Sequence, residues 1–315
     1  MPHASTTSPA PLALTGVTGF IGGRLLRALV EAGTPVRVLA RRPDALSSAP
    51  PGCEVVTGGL DDHDALARLV DGARAVVHLA GAIRGARRED FDDVNVVGTR
   101  ALVAAMRSRA PHAPLLLVSS LAAREPGLSW YAASKHAAEA VVRDSGLGWT
   151  ILRPPAVYGP GDPALAPLWR GLARGWLLRA GPAHARFSLV HVDDLVEAML
   201  RLLQSAPDCA RILALHDGRD GGWDWRALAE AAAAQRGAPV RIVPVPAMLL
   251  RAVAGVNLAA ARVLRYAPIL TPPKVRELRH ADWSCDNLML SEVLGWAPRI
   301  PLSRALTTLP GWNRP

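Results

Sequence analysis

A tyrosine and a lysine stand four residues apart in the run WYAASKHAAEA, at Tyr131 and Lys135, in a chain with only three tyrosines and two lysines. A free phenol titrates at about 10, too high for a ready base at neutral pH. Residues four apart on a helix share a face. The ammonium charge there favours phenolate and is expected to lower the tyrosine pKa. Tyr131 is therefore a candidate acid/base and Lys135 its tuning partner. A hydroxyl from a neighbouring strand end would hold the substrate oxygen, and LLLVSS supplies Ser119 and Ser120. Taken alone, a Tyr-x-x-x-Lys pair reads as an exposed helix face. Its place at the start of a helix, just after a serine pair, favours the chemical reading.

A second constellation lies near the N-terminus. LALTGVTGFIGGRLLRALV puts Gly16, Gly19 and Gly22 directly after an apolar strand, the last two opening a helix. Such glycines permit a tight turn, close approach of a pyrophosphate and close helix–strand packing. The helix start, including Phe20 and Ile21, then offers free N–H groups and a positive dipole end to phosphates. The next strand ends VRVLARRPD. NAD sites usually carry an acid there, for the ribose 2′-hydroxyl. Arg41 and Arg42 occupy that place, and Asp44 comes too late. A guanidinium suits a 2′-phosphate, so NADP is expected ahead of NAD.

These groups need a scaffold that brings strand ends together. Strands are expected at Leu12–Thr15, Val36–Ala40, Glu54–Thr57, and in AVVHLAG, PLLLVSS and WTILRP. Helices are expected over Phe20–Ala32, Asp62–Val70, Phe91–Arg109 and Tyr131–Asp144. Alternating strands and helices imply right-handed crossovers and a parallel sheet covered on both faces. The fold class is thus α/β, a Rossmann-type doubly wound parallel sheet with a smaller, mixed C-terminal lobe. In an open sheet of this kind the ligand crevice lies at the carboxyl ends of the strands. After Pro160 the rhythm breaks, and proline and glycine thicken. RILALHDG could rejoin the sheet. The expected division is a tail over 1–10, a dinucleotide-binding domain over 11–160 and 187–218, and a substrate lobe over 161–186 and 219–315.

With these pieces in order, the chain resembles the extended short-chain dehydrogenase/reductases of the NAD(P)-dependent epimerase/dehydratase type. The resemblance covers nearly the whole chain and rests on TGVTGFIG, VVHLAG, VNVVGT, LLLVSS, YAASK, LRPPAVYGPGD, HVDDLVEAM and LGWAPRIPL. It implies a catalytic triad of Ser120, Tyr131 and Lys135, with Ser119 the alternative serine and Lys135 also bonding the nicotinamide ribose. It places Leu79 and Ala80 along the cofactor, Pro154 and Val157 beside the nicotinamide, and Leu60 with the cofactor-binding residues. Two positions depart from the pattern. Gly59 stands where the family often has an adenine-binding aspartate, which Asp61 or Asp62 could replace only from a shifted position. Ala156 stands where the family's nucleotide-sugar enzymes often carry asparagine. The implied reaction is hydride exchange with a carbonyl or alcohol substrate. A sugar-nucleotide epimerase or dehydratase with recycled cofactor is the alternative, and a non-catalytic dinucleotide-binding protein a third reading.

The composition fits an enzyme core: half of the 315 residues are apolar. The net charge of +9 comes almost wholly from arginine, scattered without a long basic run, so nucleic acid is not an expected partner. Cys53, Cys209 and Cys285 are odd in number and lack metal-ligand spacing. They read as reduced thiols in a cytoplasmic protein, and the first residues lack a signal-peptide core. No metal is expected: Asp61, Asp62, His63 and Asp64 read as a helix start with acids near its positive end. His191 reads as structural, Asp193 or Asp194 as a helix N-cap, and Trp223, Trp225, Trp283 and Trp296 as packing. The apolar segment from Val240 to Thr271 suggests an apolar substrate or contact with a membrane surface, with core packing the preferred explanation. A homodimer is a possible assembly.

Overall fold

The computed structural model describes residues 10–42, 52–205 and 210–312. Residues 1–9 of the expected tail, Asp44 and Cys209 lie outside the described residues.

The first half runs β1 (Leu12–Thr15), α1 (Phe20–Glu31), β2 (Val36–Ala40), β3 (Cys53–Thr57), α2 (His63–Val70) and β4 (Ala75–His78). α3 (Glu89–Asp92) then passes through a π turn, Asp93–Val97, into α4 (Gly98–Arg109). β5 (Leu115–Val118), α5 (Trp130–Arg143), β6 (Trp149–Arg153) and β7 (Ala156–Tyr158) follow. Next come α6 (Ala166–Ala173), β8 (Trp176–Arg179), β9 (Arg186–Phe187), β10 (Leu189–His191), α7 (Val192–Gln204) and β11 (Arg211–Ala214). The chain closes with α8 (Trp225–Arg236), β12 (Arg241–Pro244), α9 (Ala247–Leu264), α10 (Pro272–Leu278), β13 (Asp282–Trp283), α11 (Leu288–Leu294) and α12 (Leu302–Ala305).

Seven strands form one sheet in the order β11-β6-β5-β4-β1-β2-β3, and every neighbouring pair is parallel. RILALHDG therefore rejoins the sheet, as the edge strand beside β6. β1, β4 and β5 are buried along their whole length, as strands covered on both faces must be. One face packs on α1 and α7 through Leu25, Leu29, Leu195 and Met199. The other packs on α2, α4 and α5 through Leu66, Leu69, Leu102, Met106 and Val142. A third cluster, with Trp169, Leu177, Trp223 and Leu228, holds the C-terminal pieces together. Strand order reverses between β1 and β4. The crevice at their carboxyl ends is where a doubly wound sheet binds its ligand.

Several expectations change or sharpen. The N-cap of α7 is His191, not Asp193 or Asp194: its Nδ1 accepts from the Asp193 N–H at 3.3 Å. Asp194 is buried in the first turn and accepts from the N–H groups of Arg299 and Ile300, which ties LGWAPRIPL to α7. Asp62 does cap α2, accepting from Ala65 N–H at 2.9 Å, and the described residues contain no group able to hold a metal. Trp223 and Trp296 are buried, and Trp225 and Trp283 half-buried. Core packing fails as the explanation of α9. Only Ala254 and Ala261 of its residues are buried, while Met248, Leu249, Val253, Val256, Val263 and Leu264 face out.

Candidate active site

The glycine loop is a cradle that side chains would fill. Gly16 has φ +76°, and a Cβ built on it would lie 2.5 Å from Ala80 N and 2.6 Å from Leu79 C. That close approach brings Leu79 and Ala80 against the loop. A Cβ on Gly22 would lie 2.2 Å from Gly16 O, so α1 can meet β1 this closely only without one. Gly19 is the N-cap of α1, has no side chain to cap it, and no acid occupies the first turn. The N–H groups of Phe20, Ile21 and Gly22 thus belong to a helix start that leaves donors and a positive dipole end for an anion. This loop fits a dinucleotide pyrophosphate.

Arg41 and Arg42 are exposed just past β2. Arg41 lies beside Gly59, its Cγ 3.7 Å from a Cβ built there. The Asp61 carboxylate folds back over the same glycine, with Oδ1 2.2 Å from that Cβ position. Of the two acids, Asp62 is committed to its cap, so Asp61 is the one standing in the vacated place. Leu60 packs on Gly98 at the start of α4.

A buried hydrogen-bond chain fixes the switch point. The Ala80 N–H donates to Thr15 Oγ1 at 3.2 Å, and Thr15 Oγ1 lies 2.7 Å from His78 Nδ1. His78 Nε2 lies 3.0 Å from Thr99 Oγ1, which donates to Asn95 O. This chain assigns the ring proton to Nε2. Burial, with the Lys135 charge adding, brings the His78 pKa down to about 3, so the ring is neutral. Asn95 sits on the π turn, a distortion common at functional sites. It accepts from Ala82 N–H at 2.7 Å and donates to Ala82 O at 3.0 Å and Ser134 Oγ at 2.8 Å. The loop after β4 is thereby pinned to α5. The VNVVGT motif drew notice in the sequence; the role of its asparagine did not.

The two serines divide their work. Ser119 is buried and donates to Glu139 Oε1 at 2.5 Å. Arg153 grips the same carboxylate through Nε at 2.8 Å and Nη2 at 2.5 Å. Ser119, Glu139 and Arg153 thus stitch β5, α5 and β6 into a fixed frame. Ser120 is the N-cap of the next 3-10 turn, Leu121–Arg124, its hydroxyl accepting from the Ala122 N–H at 3.2 Å, and it lies near enough to the Tyr131 phenol to favour its ionised form. Ser119 is thus taken up by Glu139, while Ser120 is the serine left beside the tyrosine. The Leu121 N–H donates to Pro154 O, which holds the β6–β7 turn beside this serine. Val157 lies just beyond, on β7, half-buried against the sheet's first core.

Tyr131 begins α5 because Ser129 caps the helix, accepting from Ala132 N–H at 3.0 Å. Burial pushes its phenol up to about 12; the Ser120 hydroxyl pulls it down and the Glu277 charge adds to the rise. This corrects the expected depression by Lys135. The Lys135 ammonium donates to Val118 O at 2.9 Å, and burial, opposed by Glu139, brings its own pKa down to about 8. Phe91 meets the Tyr131 ring edge-on at 6.5 Å. Lys274 on α10 lies over that ring, 5.3 Å from its centre, and pairs with Glu277. Glu277 in turn accepts from Ser129 Oγ at 2.6 Å. One of the chain's two lysines thus lies one turn along α5 from the tyrosine, and the other lies over its ring. Sequence reasoning missed Lys274, although its rarity was a usable signal.

Dinucleotide loop, doubly wound sheet and hydroxyl–phenol pair define the class: an NAD(P)-dependent enzyme of the extended short-chain dehydrogenase/reductase type. The model of the NAD dependent epimerase/dehydratase family matches residues 12–212, and the chain belongs to that family. A ceramide reductase of Caulobacter vibrioides is 36% identical over 317 residues, covering 98% of this chain and 96% of the relative. A dTDP-6-deoxy-L-talose 4-dehydrogenase (NAD(P)(+)) of Kitasatospora kifunensis is 28% identical, covering 98% and 96%. In fold, the chain is similar to a UDP-glucuronic acid 4-epimerase of Bacillus cereus solved with UDP-glucuronic acid and NAD. That likeness has TM-score 0.73 and 16% identity, over 96% of this chain and 98% of the other. Reductases, epimerases and dehydratases of this family act on small molecules with NAD(P).

Proposed function

We propose that the chain is an NADPH-dependent reductase of a long-chain, ceramide-like ketone. The observation that carries this reading is the end-to-end similarity to a ceramide reductase, at 36% identity. Ala156, in the place where nucleotide-sugar enzymes of the family often carry asparagine, argues against a sugar nucleotide.

NADPH, when bound, supplies the hydride that converts a ketone to a secondary alcohol. The remaining work falls to side chains. Gly16, Gly19 and Gly22 admit the pyrophosphate, and Arg41 and Arg42 meet the 2′-phosphate. Leu79, Ala80, Pro154 and Val157 line the cofactor, and Lys135 holds the ribose. Ser120 donates a hydrogen bond to the substrate oxygen, and Tyr131 delivers the proton to it. A phenol held at about 12 is fully protonated at neutral pH, the state that ketone reduction requires. Incubation with NADPH and a panel of long-chain ketones, short-chain ketones and sugar nucleotides tests the reading. The expected result is stoichiometric NADPH consumption with long-chain ketones. Conversion of a sugar nucleotide without net NADPH consumption would replace this function by epimerisation.

A further inference from the structure

We infer that α9 is a membrane-docking helix that lies in the plane of an anionic lipid surface and carries the Tyr131 site to it; the inference deepens, and rests on, the lipid-ketone reading above. The helix is inside out. At 100° per residue, Met248, Leu249, Val253, Val256, Val263 and Leu264 fall on one broad arc. Met248 is 81% exposed, Val256 72%, Val263 79% and Leu264 71%. The buried stripe opposite is small: Ala254 and Ala261. A water-facing helix would show the reverse arrangement. So large an apolar arc in one place marks an interaction surface.

Charge selects the occupant. No aspartate or glutamate lies between Glu230 and Glu277. On the same wheel Arg251 and Arg262 run along one border of the apolar arc, and Arg265 ends the helix; all three are exposed. None of the three makes an ion pair with another described residue. A second copy docking through this face would meet it with the same face, because a two-fold interface is self-complementary. Arginine would then oppose arginine with no local acid to answer it. An anionic bilayer offers both parts at once, acyl chains for the arc and phosphates for its border.

The helix lies flat and does not span. Its 18 residues are apolar and long enough to cross a bilayer. However, Arg251 and Arg262 sit within it. At its middle Asn257 donates to Leu270 O at 2.8 Å and accepts from Tyr266 Oη at 2.5 Å, so the chain after it folds back along it.

That returning chain leads to the site. Pro268 O accepts from the Gly85 N–H at 3.3 Å, in the loop that follows β4 and Leu79–Ala80. Ile83 and Ile269 are exposed on the two sides of this link and extend the apolar surface. α10 begins at the next cap, Thr271, and puts Lys274 over the Tyr131 ring. A lipid drawn from the surface at α9 thus meets the catalytic tyrosine one element away.

Flotation with vesicles tests this without any substrate. The wild type is expected to float with mixed phosphatidylcholine–phosphatidylglycerol vesicles at low salt and less with phosphatidylcholine alone; salt should release it. Val256→Asp with Val263→Asp should cut the bound fraction by roughly tenfold or more. Arg251→Glu with Arg262→Glu should abolish the preference for anionic vesicles. All are surface changes, and unaltered thermal unfolding and NADPH binding check the fold. Failure of the folded wild type to float at low salt overturns the inference. So does a dimer in solution that Val256→Asp dissociates, which would make a second copy the occupant. A ketone panel that shows no turnover while flotation holds would sink the lipid-ketone function and leave the docking surface in place. With turnover in hand, the aspartate variant should keep the wild-type rate on a soluble short-chain ketone and lose rate on a vesicle-borne one.

Discussion

Burial holds the Tyr131 phenol at about 12, against about 10 for a free tyrosine. A rise of that size corresponds to about 3 kcal/mol between the two protonation states. At pH 10 a free tyrosine is half ionised, whereas Tyr131 should be about 1% ionised. The tyrosinate absorbance of the wild type minus that of Tyr131→Phe isolates this one residue of the three. Across neutral pH and up to 10 the difference should show almost no tyrosinate band. Glu277→Gln removes a carboxylate whose charge adds to the rise, while its amide oxygen can still accept from Ser129. Its transition should move down towards 10. The kinetic counterpart follows. Ketone reduction should be flat with pH as far as the tyrosine is concerned, because the acid form persists throughout. Alcohol oxidation should climb with pH, tenfold per unit, with no plateau below 10. Tyr131→Phe should lower turnover by about two to four orders of magnitude while cofactor still binds. A tyrosinate band at half strength by pH 10 in the cofactor-free protein would refute the burial argument. Wild-type turnover in Tyr131→Phe would refute the acid role.

Three further changes probe the rest of the site. Arg41→Ala should weaken NADPH binding by roughly ten- to a hundredfold and leave NADH binding unchanged, as the loss of one charge-assisted phosphate contact predicts; titration of both cofactors checks it. Gly22→Ala puts a Cβ 2.2 Å from Gly16 O, a backbone atom that can yield only by opening the loop, so dinucleotide binding should be lost. Gly127→Ala, with nothing within 4 Å of its Cβ, should bind normally. Glu139→Gln breaks the paired grip of Arg153 and the Ser119 bond, and should cost about 3 kcal/mol, read as a drop in Tm. Glu139 also keeps the Lys135 pKa from falling further, so the same variant should carry less charge at Lys135 and bind cofactor more weakly.

The sheet was legible because its strands are continuous apolar runs bounded by glycine and proline, a pattern that only a doubly covered strand tolerates. β1 and β2 fall where the pattern puts them, and β3 begins one residue earlier, at Cys53. The glycine loop was legible for a related reason. A missing side chain announces close approach, and Gly16 and Gly22 each have a backbone neighbour within 3 Å of the absent Cβ. What stayed hidden depends on contacts between distant segments. Nothing local to YAASK announces that Glu277 and Lys274, more than a hundred residues on, close over the tyrosine. Burial, with the Glu277 charge adding to it, therefore turns the expected lowering of its pKa into a rise.

The misreading of α9 has a different cause. A helical period divides a segment into two faces but does not say which is inside. The rule that apolar faces turn inward supplies that choice, and it holds only where the opposite face is polar. In Ala247–Leu264 the opposite face is alanine, small enough to pack closely and apolar enough to be buried at no cost. Both faces then qualify as interior, and the neighbours decide. α10 packs against this helix and the alanine stripe is the part that is buried, which leaves the larger residues outside. A segment whose two faces are both apolar and unequal in size is therefore better read as one contact made and one still to be made, and its arginines, with no acid near them in sequence, say what kind of surface the second contact wants.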